Sequence, residues 1–178
     1  MIITISGMPG SGKNTVADIL AKELNLKRYS VGNYRREMAK ERNMTLEELN
    51  RLGEKNEFTD RDADEWQKKI AKTQDNFIID GRLSWHFIPD SVKIFLDVKP
   101  EIGAERIMLD KRQEETAKTE KQAVKLWKDR LKSDIKRYKK YYNLNPYNKK
   151  NYDFVLDTSK LNIEQATAKV LWFIKKGK

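Results

Sequence analysis

The stretch MIITISGMPGSGKNTVADIL, residues 1–20, joins a short β-branched run, a glycine-rich loop and the start of an amphipathic segment. Its centre matches the phosphate-binding pattern G-x-x-x-x-G-K-[ST] up to Lys13. The hydroxyl then arrives one position late, as Thr15 after Asn14. Three interpretations are open: a decayed nucleotide site, a chance match, or a phosphate-binding loop in which different groups contact Mg²⁺.

Apolar runs and helical periodicities alternate along the rest of the chain. Compact apolar runs predict strands at residues 1–6, 26–31, 76–81, 91–98 and 152–158. Apolar residues spaced by three or four predict helices after the loop, after a Thr45 N-cap with Glu48 in a capping box, over 124–138, and over 163–174. This alternation predicts an α/β fold: a five-stranded, mostly parallel sheet with helices on both faces. The glycine loop would then lie at the carboxyl end of the first strand, where open α/β sheets bind ligands.

Composition limits the classes of protein that the chain can represent. Its 178 residues suit one domain, and 36% are charged and 38% apolar. No apolar run approaches the roughly 20 residues of a membrane-spanning helix, and the N-terminus lacks the basic region of a signal peptide. There are no cysteines, which excludes disulfides and thiolate metal sites. We therefore expect a cytoplasmic protein that does not bind membranes.

The positive charge is concentrated in one part of the sequence. The formal net charge is +10, and residues 106–150 hold 15 Lys and Arg against 6 Asp and Glu, a net of +9. Such a segment attracts nucleic acid or polyphosphates, or is a solvated lysine-rich helix face. Most of its aromatic residues follow the apolar side of a predicted helix, which favours packing over base stacking. Trp127, Trp172 and Phe173 are expected in the core.

The loop predicts a phosphate site built mainly from backbone. Glycines allow a sharp turn that directs successive N–H groups to one point, the following helix adds its positive N-terminal end, and Lys13 supplies a full charge. The residues predicted to bind phosphates are Gly7, Met8, Pro9, Gly10, Ser11, Gly12, Lys13, Asn14 and Thr15. Lys13 is also a candidate catalytic residue.

Several motifs together resemble one enzyme family. The loop GMPGSGKNT resembles that of nucleoside monophosphate kinases. In that family the residue directly after the Lys commonly carries no hydroxyl, and the Thr is the residue after that one. The segments LKRYSVGNYRREMAKERNMTLEEL (26–49), FIIDGRLSW (77–85), DRLKSDIKRYKKYYNL (129–144) and YDFVLDTSKL (152–161) are similar, in the same order, to archaeal-type cytidylate kinases. The resemblance covers about residues 1–163. Asn14 departs from the family, which has Gly there.

The resemblance implies a fold, a reaction and a domain layout. It implies a P-loop kinase fold in a single domain, 1–178, with a nucleoside-monophosphate-binding part at about 30–65 and a small mobile lid at about 106–125. The expected reaction transfers a phosphoryl group from ATP to CMP or dCMP with Mg²⁺. Thr15 and Asp80 would contact the metal, Asp80 through water, although an Asp before Gly also suits a simple turn.

Arginines are the candidate ligands for the two phosphorylated substrates, because the guanidinium fork binds phosphate oxygens in pairs. Arg36 and Arg82 are assigned to the acceptor's phosphate; Arg36 is alternatively one more surface charge. Arg130 and Arg137, seven residues apart, share one helix face and are assigned to the transferred phosphoryl group, or else to a solvated face.

The remaining assignments concern the base and the lid. Ser30, Asp60 and Asp64 are candidates for cytosine recognition, since carboxylates accept from its exocyclic amine; the alternative for both carboxylates is ordinary surface charge. Arg106 or Arg112 would be the lid arginine, and residues 110–122 the mobile segment. His86, the one histidine, receives no role.

Two other functions stay open at this point. One is an adenylate kinase or another small-metabolite P-loop kinase. The other is an RNA-binding protein switched by nucleotide, which the basic segment suggests. For the leading interpretation we expect a monomer that acts on free nucleotides and does not bind nucleic acid.

Overall fold

The structure, a computed structural model, describes residues 1–109, 117 and 119–177. Within them the strands are β1 (Ile2–Gly7), β2 (Lys27–Ser30), β3 (Phe77–Asp80), β4 (Val92–Asp97) and β5 (Phe154–Asp157). The helices are α1 (Lys13–Glu23), α2 (Val31–Glu41), α3 (Leu46–Lys55), α4 (Phe58–Thr73), α5 (Ser84–Phe87), α6 (Pro100–Leu109), α7 (Glu120–Tyr142) and α8 (Ile163–Lys176), with a 3₁₀ turn at Lys149–Asn151.

The strands form one sheet in the order β2-β3-β1-β4-β5, and all four neighbouring pairs are parallel. Parallel strands must be joined by crossovers, and here helices supply them. The register pairs Ile5 of β1 and Ser30 of β2 with Asp80 of β3, so the ends of these strands meet at one edge. The predicted α/β fold and its five strands are confirmed.

Helices cover both faces of the sheet. On one face, α1 and α8 pack their apolar stripes against Ile3, Ile5 and the central residues of β3 and β4. On the other, α4 and α7 lie over Phe77, Ile79 and Phe95.

One expected core residue is wrongly assigned. Trp172 is 60% exposed, because the buried stripe of α8 runs through Ala166, Val170 and Ile174 and leaves Trp172 on the opposite side. The Lys176 ammonium lies over its ring, 4.7 Å from the centroid. Trp127, by contrast, is buried as expected, and Phe173 packs against the core.

No helical spacing predicts helix α6, and a proline so soon after the apolar run 91–98 suits the end of a strand. Pro100 is instead the first helical residue, a position where a missing N–H costs nothing. Residues 110–116 and 118 lie outside the described part of the chain, and with them Arg112 and most of the predicted mobile segment. The rest of the predicted lid lies on α6, α7 and the residues just before α7.

None of the helices in the described ranges combines the length and the apolar character that crossing a bilayer would require.

Candidate active site

The glycine loop turns from β1 into α1 with an unusual backbone. Gly10 and Gly12 have φ of 76° and 80°, a left-handed conformation that glycine adopts without strain. The hydroxyl Oγ of Ser11 is buried between them and has no hydrogen-bond partner in the structure. An unpaired buried donor is costly unless something accepts from it.

The backbone of helix α6 packs closely against one side of the loop. A Cβ added at Gly10 would lie 2.1 Å from the Gly103 carbonyl oxygen, and one at Gly103 would lie 2.8 Å from the Pro9 oxygen. The indole Nε1 of Trp127, on α7, donates to that same Pro9 oxygen at 2.8 Å. Thus α6 and α7 both brace the loop from behind.

In front of the loop is a cavity of about 550 Å³. Every predicted loop residue except Gly7 lines it. Four arginines from distant parts of the sequence also reach it: Arg36, Arg82, Arg106 and Arg130. The residues from Leu161 to Glu164, which follow β5 and begin α8, also line the cavity, and Ile163 lies beside Gly12 of the loop. The cavity is therefore strongly positive around the loop.

Burial and the surrounding positive charge change the ionisation of Lys13. Burial first, and then repulsion from Arg82, Arg130 and Arg36, lower the pKa of Lys13 from 10.5 to about 7, although the charge of Asp80 opposes the shift. Nζ of Lys13 lies 3.3 Å from the Asn14 side-chain oxygen, which accepts from it. A bound polyphosphate would supply the negative charge that this cluster of cations lacks.

Asp80 ends β3 beside the loop, as predicted, and both of its oxygens have donors. Nη2 of Arg28 donates to one oxygen at 2.8 Å, and the Ser30 hydroxyl donates to the other at 3.2 Å. Ser30 also caps α2 by accepting from the Asn33 N–H. Arg28 reaches Asp18 of α1 with its other terminal nitrogen. Held in this way, the Asp80 carboxylate acts on Lys13 through its negative charge, which favours the ammonium form. The Ser30 hydroxyl is directed at Asp80.

Within the described residues, no group of three or more His, Cys, Asp or Glu side chains is placed to coordinate a metal ion. This fits Mg²⁺, which keeps several waters and is bound largely through substrate phosphates. Thr15 is exposed and lines the cavity, where its hydroxyl is available to such an ion.

Arg36 and Arg82, which are predicted to bind the phosphate of the acceptor nucleotide, have different surroundings. Nη1 of Arg36 donates to the Asn33 side chain at 3.1 Å, on the open side of the cavity. Arg82 is held more firmly: Nη1 donates to the Gly7 carbonyl at 3.1 Å and Nε donates to Asp134 at 2.8 Å. The structure thus brings Arg36 and Arg82 to the same cavity.

Arg130 and Arg137 do share a face of α7. Both line a second cavity of about 320 Å³ between α3 and α7, and Arg130 also lines the first. Arg137 is 3% exposed, so it is not part of a solvated helix face, and its partners are Asp134 and Asp60. Asn50 accepts from it across the cavity at 3.5 Å.

Asp60 and Asp64 are also interior, not surface, carboxylates. Asp60 is 2% exposed and ion-paired to Arg35 and Arg137. Asp64 accepts from Tyr142 and from Gln67, and burial raises its pKa to about 7 although the Tyr142 hydrogen bond opposes the shift. Neither carboxylate lines the cavity at the loop.

Several residues that build this site were missed at the sequence level. They are Arg28, Arg35, Asp134, Tyr147, Gly103 and the loop after β5. The loop after β5 had a usable signal, because it follows the carboxyl end of a parallel strand. Arg106 is anchored there, donating to Thr158 and to the Leu161 carbonyl.

His86 stacks edge-on with Trp85 and Phe87, and burial lowers its pKa.

Comparison with solved structures supports the fold. An uncharacterized protein from Eubacterium ventriosum superposes with a TM-score of 0.72 at 21% identity, covering 98% of both chains. A shikimate kinase from Bacteroides thetaiotaomicron superposes with a TM-score of 0.68 at 16% identity, again over 98% of both. These likenesses confirm the P-loop kinase fold.

Sequence comparison identifies the family. The chain is 36% identical over 164 residues to a cytidylate kinase from Methanosphaera stadtmanae and 38% identical over 169 residues to one from Methanocaldococcus jannaschii, covering 92% of each chain in both cases. The model of the cytidylate kinase-like family matches residues 2–160. The chain therefore belongs to the cytidylate kinase-like family.

Proposed function

We propose that this protein is a cytidylate kinase, which transfers the γ-phosphoryl group of ATP to CMP or dCMP. The single observation that carries the proposal is the cavity at the glycine loop, where the loop backbone, Lys13 and four arginines converge. Membership of a kinase family, in which the compared relatives are named cytidylate kinases, agrees with it. Phosphoryl transfer needs mainly in-line positioning and positive charge, and the lysine and arginines of this cavity supply the positive charge.

The ATP phosphates are assigned to the loop. Its backbone and Ser11 bind them, and Lys13 bridges to the β- and γ-phosphates. The adenosine part extends along Arg106 and the residues after β5. Thr15 would hold Mg²⁺ with its hydroxyl, together with the phosphates and water, and Asp80 would accept from such a water. When bound, the ion would supply positive charge against the charge that develops during transfer.

The acceptor nucleotide is assigned to the side formed by α2 and the turn after β3, within the nucleoside-monophosphate-binding part at about 30–65. Arg36 and Arg82 bind its phosphate, which is already anionic and needs no general base. Arg130 contacts the moving phosphoryl group. Asp60, Asp64 and Ser30 act mainly by holding neighbouring side chains in place around the base. We also propose that the enzyme works as a cytoplasmic monomer on free nucleotides.

A coupled assay of ADP release tests the proposal. The purified protein is given MgATP and one of CMP, dCMP, UMP, AMP or GMP. We expect the highest kcat/KM for CMP and dCMP. Preference for AMP would instead indicate an adenylate kinase, and no turnover above background hydrolysis with any acceptor would refute a monophosphate kinase.

A further inference from the structure

A chain of alternating buried charges runs along the wall of the site. It consists of Arg35, Asp60, Arg137, Asp134 and Arg82, and we call it the ion chain. Successive members are separated by 2.9, 3.0, 3.0 and 2.8 Å between nitrogen and oxygen. It links α2, α4 and α7 to the turn after β3. Only its last member, Arg82, reaches the cavity at the loop.

Asp134 is the member that holds Arg82. Its Oδ2 accepts from Nε of Arg82 at 2.8 Å and from the Tyr147 hydroxyl at 2.6 Å. Its Oδ1 accepts from Nη2 of Arg137 at 3.0 Å. Both oxygens are therefore engaged, and the carboxylate lies between two guanidinium groups.

This arrangement orients the Arg82 guanidinium. Asp134 occupies Nε and the Gly7 carbonyl occupies Nη1, while the Tyr147 ring lies 5.5 Å from the guanidinium carbon. Within the described residues nothing accepts from Nη2 of Arg82, so that nitrogen is the donor left for a ligand in the cavity. A planar guanidinium fixed on two of its nitrogens loses little further freedom when a phosphate binds.

The charge of Asp134 is secured by the same neighbours. Burial alone would raise the pKa of Asp134, but the positive charges of Arg82 and Arg137 hold that pKa well below its usual range. The carboxylate stays ionised throughout the neutral range. Without it, two buried cations would face each other unpaired, and Arg82 would have no partner that fixes its Nε.

We propose that Asp134 is a positioning residue for phosphoryl transfer, which holds Arg82 in the orientation that binds the phosphate of the acceptor nucleotide. The inference rests on the proposed function, because it requires that Arg82 contact that phosphate. It predicts that loss of the carboxylate weakens acceptor binding through Arg82 and leaves the ATP site largely intact.

A double-mutant cycle tests this role. KM for CMP and for ATP is measured in the wild type, Asp134→Asn, Arg82→Ala and the double variant, together with CMP affinity by calorimetry. We expect Asp134→Asn to raise the KM for CMP about 10-fold or more, with less than about a 3-fold change in the KM for ATP. In the Arg82→Ala background the same substitution should add less than about 3-fold, since its effect passes through Arg82.

Two further variants keep the test decisive if Asp134→Asn folds poorly. Tyr147→Phe removes one donor from the same carboxylate oxygen and keeps every charge, so it should raise the KM for CMP by a smaller factor. Asp90→Asn removes a carboxylate from an exposed turn and should leave all constants unchanged. Thermal unfolding of each variant separates a loss of folded protein from a loss of acceptor binding.

The outcomes distinguish this inference from the proposed function. If Arg82→Ala raises the KM for CMP while Asp134→Asn and Tyr147→Phe leave it unchanged, or if the two effects simply multiply in the double variant, the positioning role is refuted and the proposed function stands. If Arg82→Ala leaves the KM for CMP unchanged, Arg82 does not bind the acceptor, and both that assignment and the positioning role fail.

Discussion

At the scale of single residues, Lys13 is the charged group of the glycine loop, to which we assign phosphoryl transfer. Its Nζ is the loop's only side-chain cation and lies beside the Asn14 amide. We expect Lys13→Ala to lose most phosphoryl transfer, on the order of 100-fold or more in kcat, because no other loop group replaces a charge on the transferred phosphate.

Asn14→Gly, by contrast, should preserve kcat within about 3-fold, because the amide is neutral and its removal leaves the charge of the loop unchanged. Steady-state kinetics of the two variants decide the matter. If Asn14→Gly were as damaging as Lys13→Ala, the amide would have a catalytic role.

The lowered pKa of Lys13 predicts proton uptake on nucleotide binding. With a pKa of about 7, Lys13 is mostly neutral at pH 8. Bound phosphates favour the ammonium form, so ATP binding at pH 8 should take up as much as about 0.9 of a proton. Calorimetry in buffers of different ionisation enthalpy measures this number. Lys13→Arg, which keeps its proton, should abolish the uptake; equal uptake in both proteins would assign it elsewhere.

At the scale of secondary-structure elements, α6 holds the loop from behind by backbone approach. A Cβ at Gly103 would lie 2.8 Å from both the Pro9 oxygen and Nε1 of Trp127. We expect Gly103→Ala to destabilise the fold by about 1–3 kcal/mol and to weaken ATP binding, because α6 must shift away from the loop. Chemical unfolding and ATP titration measure the two effects.

The matched control for that substitution is Gly177→Ala at the end of α8. A Cβ there would meet nothing closer than the Phe173 oxygen at 3.6 Å, which is ordinary contact. It should change neither stability nor ATP binding appreciably. A Gly103→Ala protein as stable as this control would show that the α6–loop approach is not tight.

The contact between α4 and the end of α7 should be sensitive to pH. Burial raises the pKa of Asp64 to about 7, against about 3.8 when unfolded. A group with a raised folded pKa stabilises the fold fully below its unfolded value and loses that contribution as pH rises through the folded value. The free energy of unfolding should therefore fall by up to about 1.4 kcal/mol per pH unit between pH 4 and 7.

Comparing denaturant unfolding of the wild type and Asp64→Asn across this pH range isolates the effect. The substituted protein should lack this part of the pH dependence, because an amide does not titrate. If the two stability curves run parallel from pH 4 to 7, Asp64 titrates normally and the assignment is wrong. The exposed Asp90→Asn serves as the control for general charge effects.

Elements were predictable where local signals sufficed. The Thr45–Glu48 capping box, the apolar stripe of α7 and the short strands could all be recognised from spacing. Helix α6 was missed because a proline after a strand suits a turn as well as a first helical position. The ion chain could not be predicted, since Arg35, Asp60 and Asp134 pair across three helices whose relative placement no spacing rule specifies.

At the scale of the whole molecule, the fold brings distant cations to one edge of the sheet. Lys13, Arg36, Arg82, Arg106 and Arg130 come from five separate segments and line one cavity because the strands are parallel and end together. The loop alone indicated a phosphate site. The arginines around it, contributed by separate elements, are what suit it to two phosphorylated substrates.

We assign the basic segment to packing and to phosphate binding rather than to nucleic acid. Trp127 and Tyr138 are buried, and the hydroxyls of Tyr141 and Tyr142 bond to Gly53 and Asp64, so these rings are not free to stack on bases. We expect no ATP-competitive retention of RNA at about 0.15 M salt, where a weak lysine surface is screened. A gel shift tests this, and ATP-sensitive binding would contradict it.

We propose that one cavity holds both nucleotides, so that phosphate, not water, accepts the phosphoryl group. The most direct test is to follow the label from γ-³²P-ATP in the presence and absence of CMP. We expect the label to pass to CDP, with little released as inorganic phosphate. Label that appears only as inorganic phosphate, at a rate independent of CMP, would contradict it.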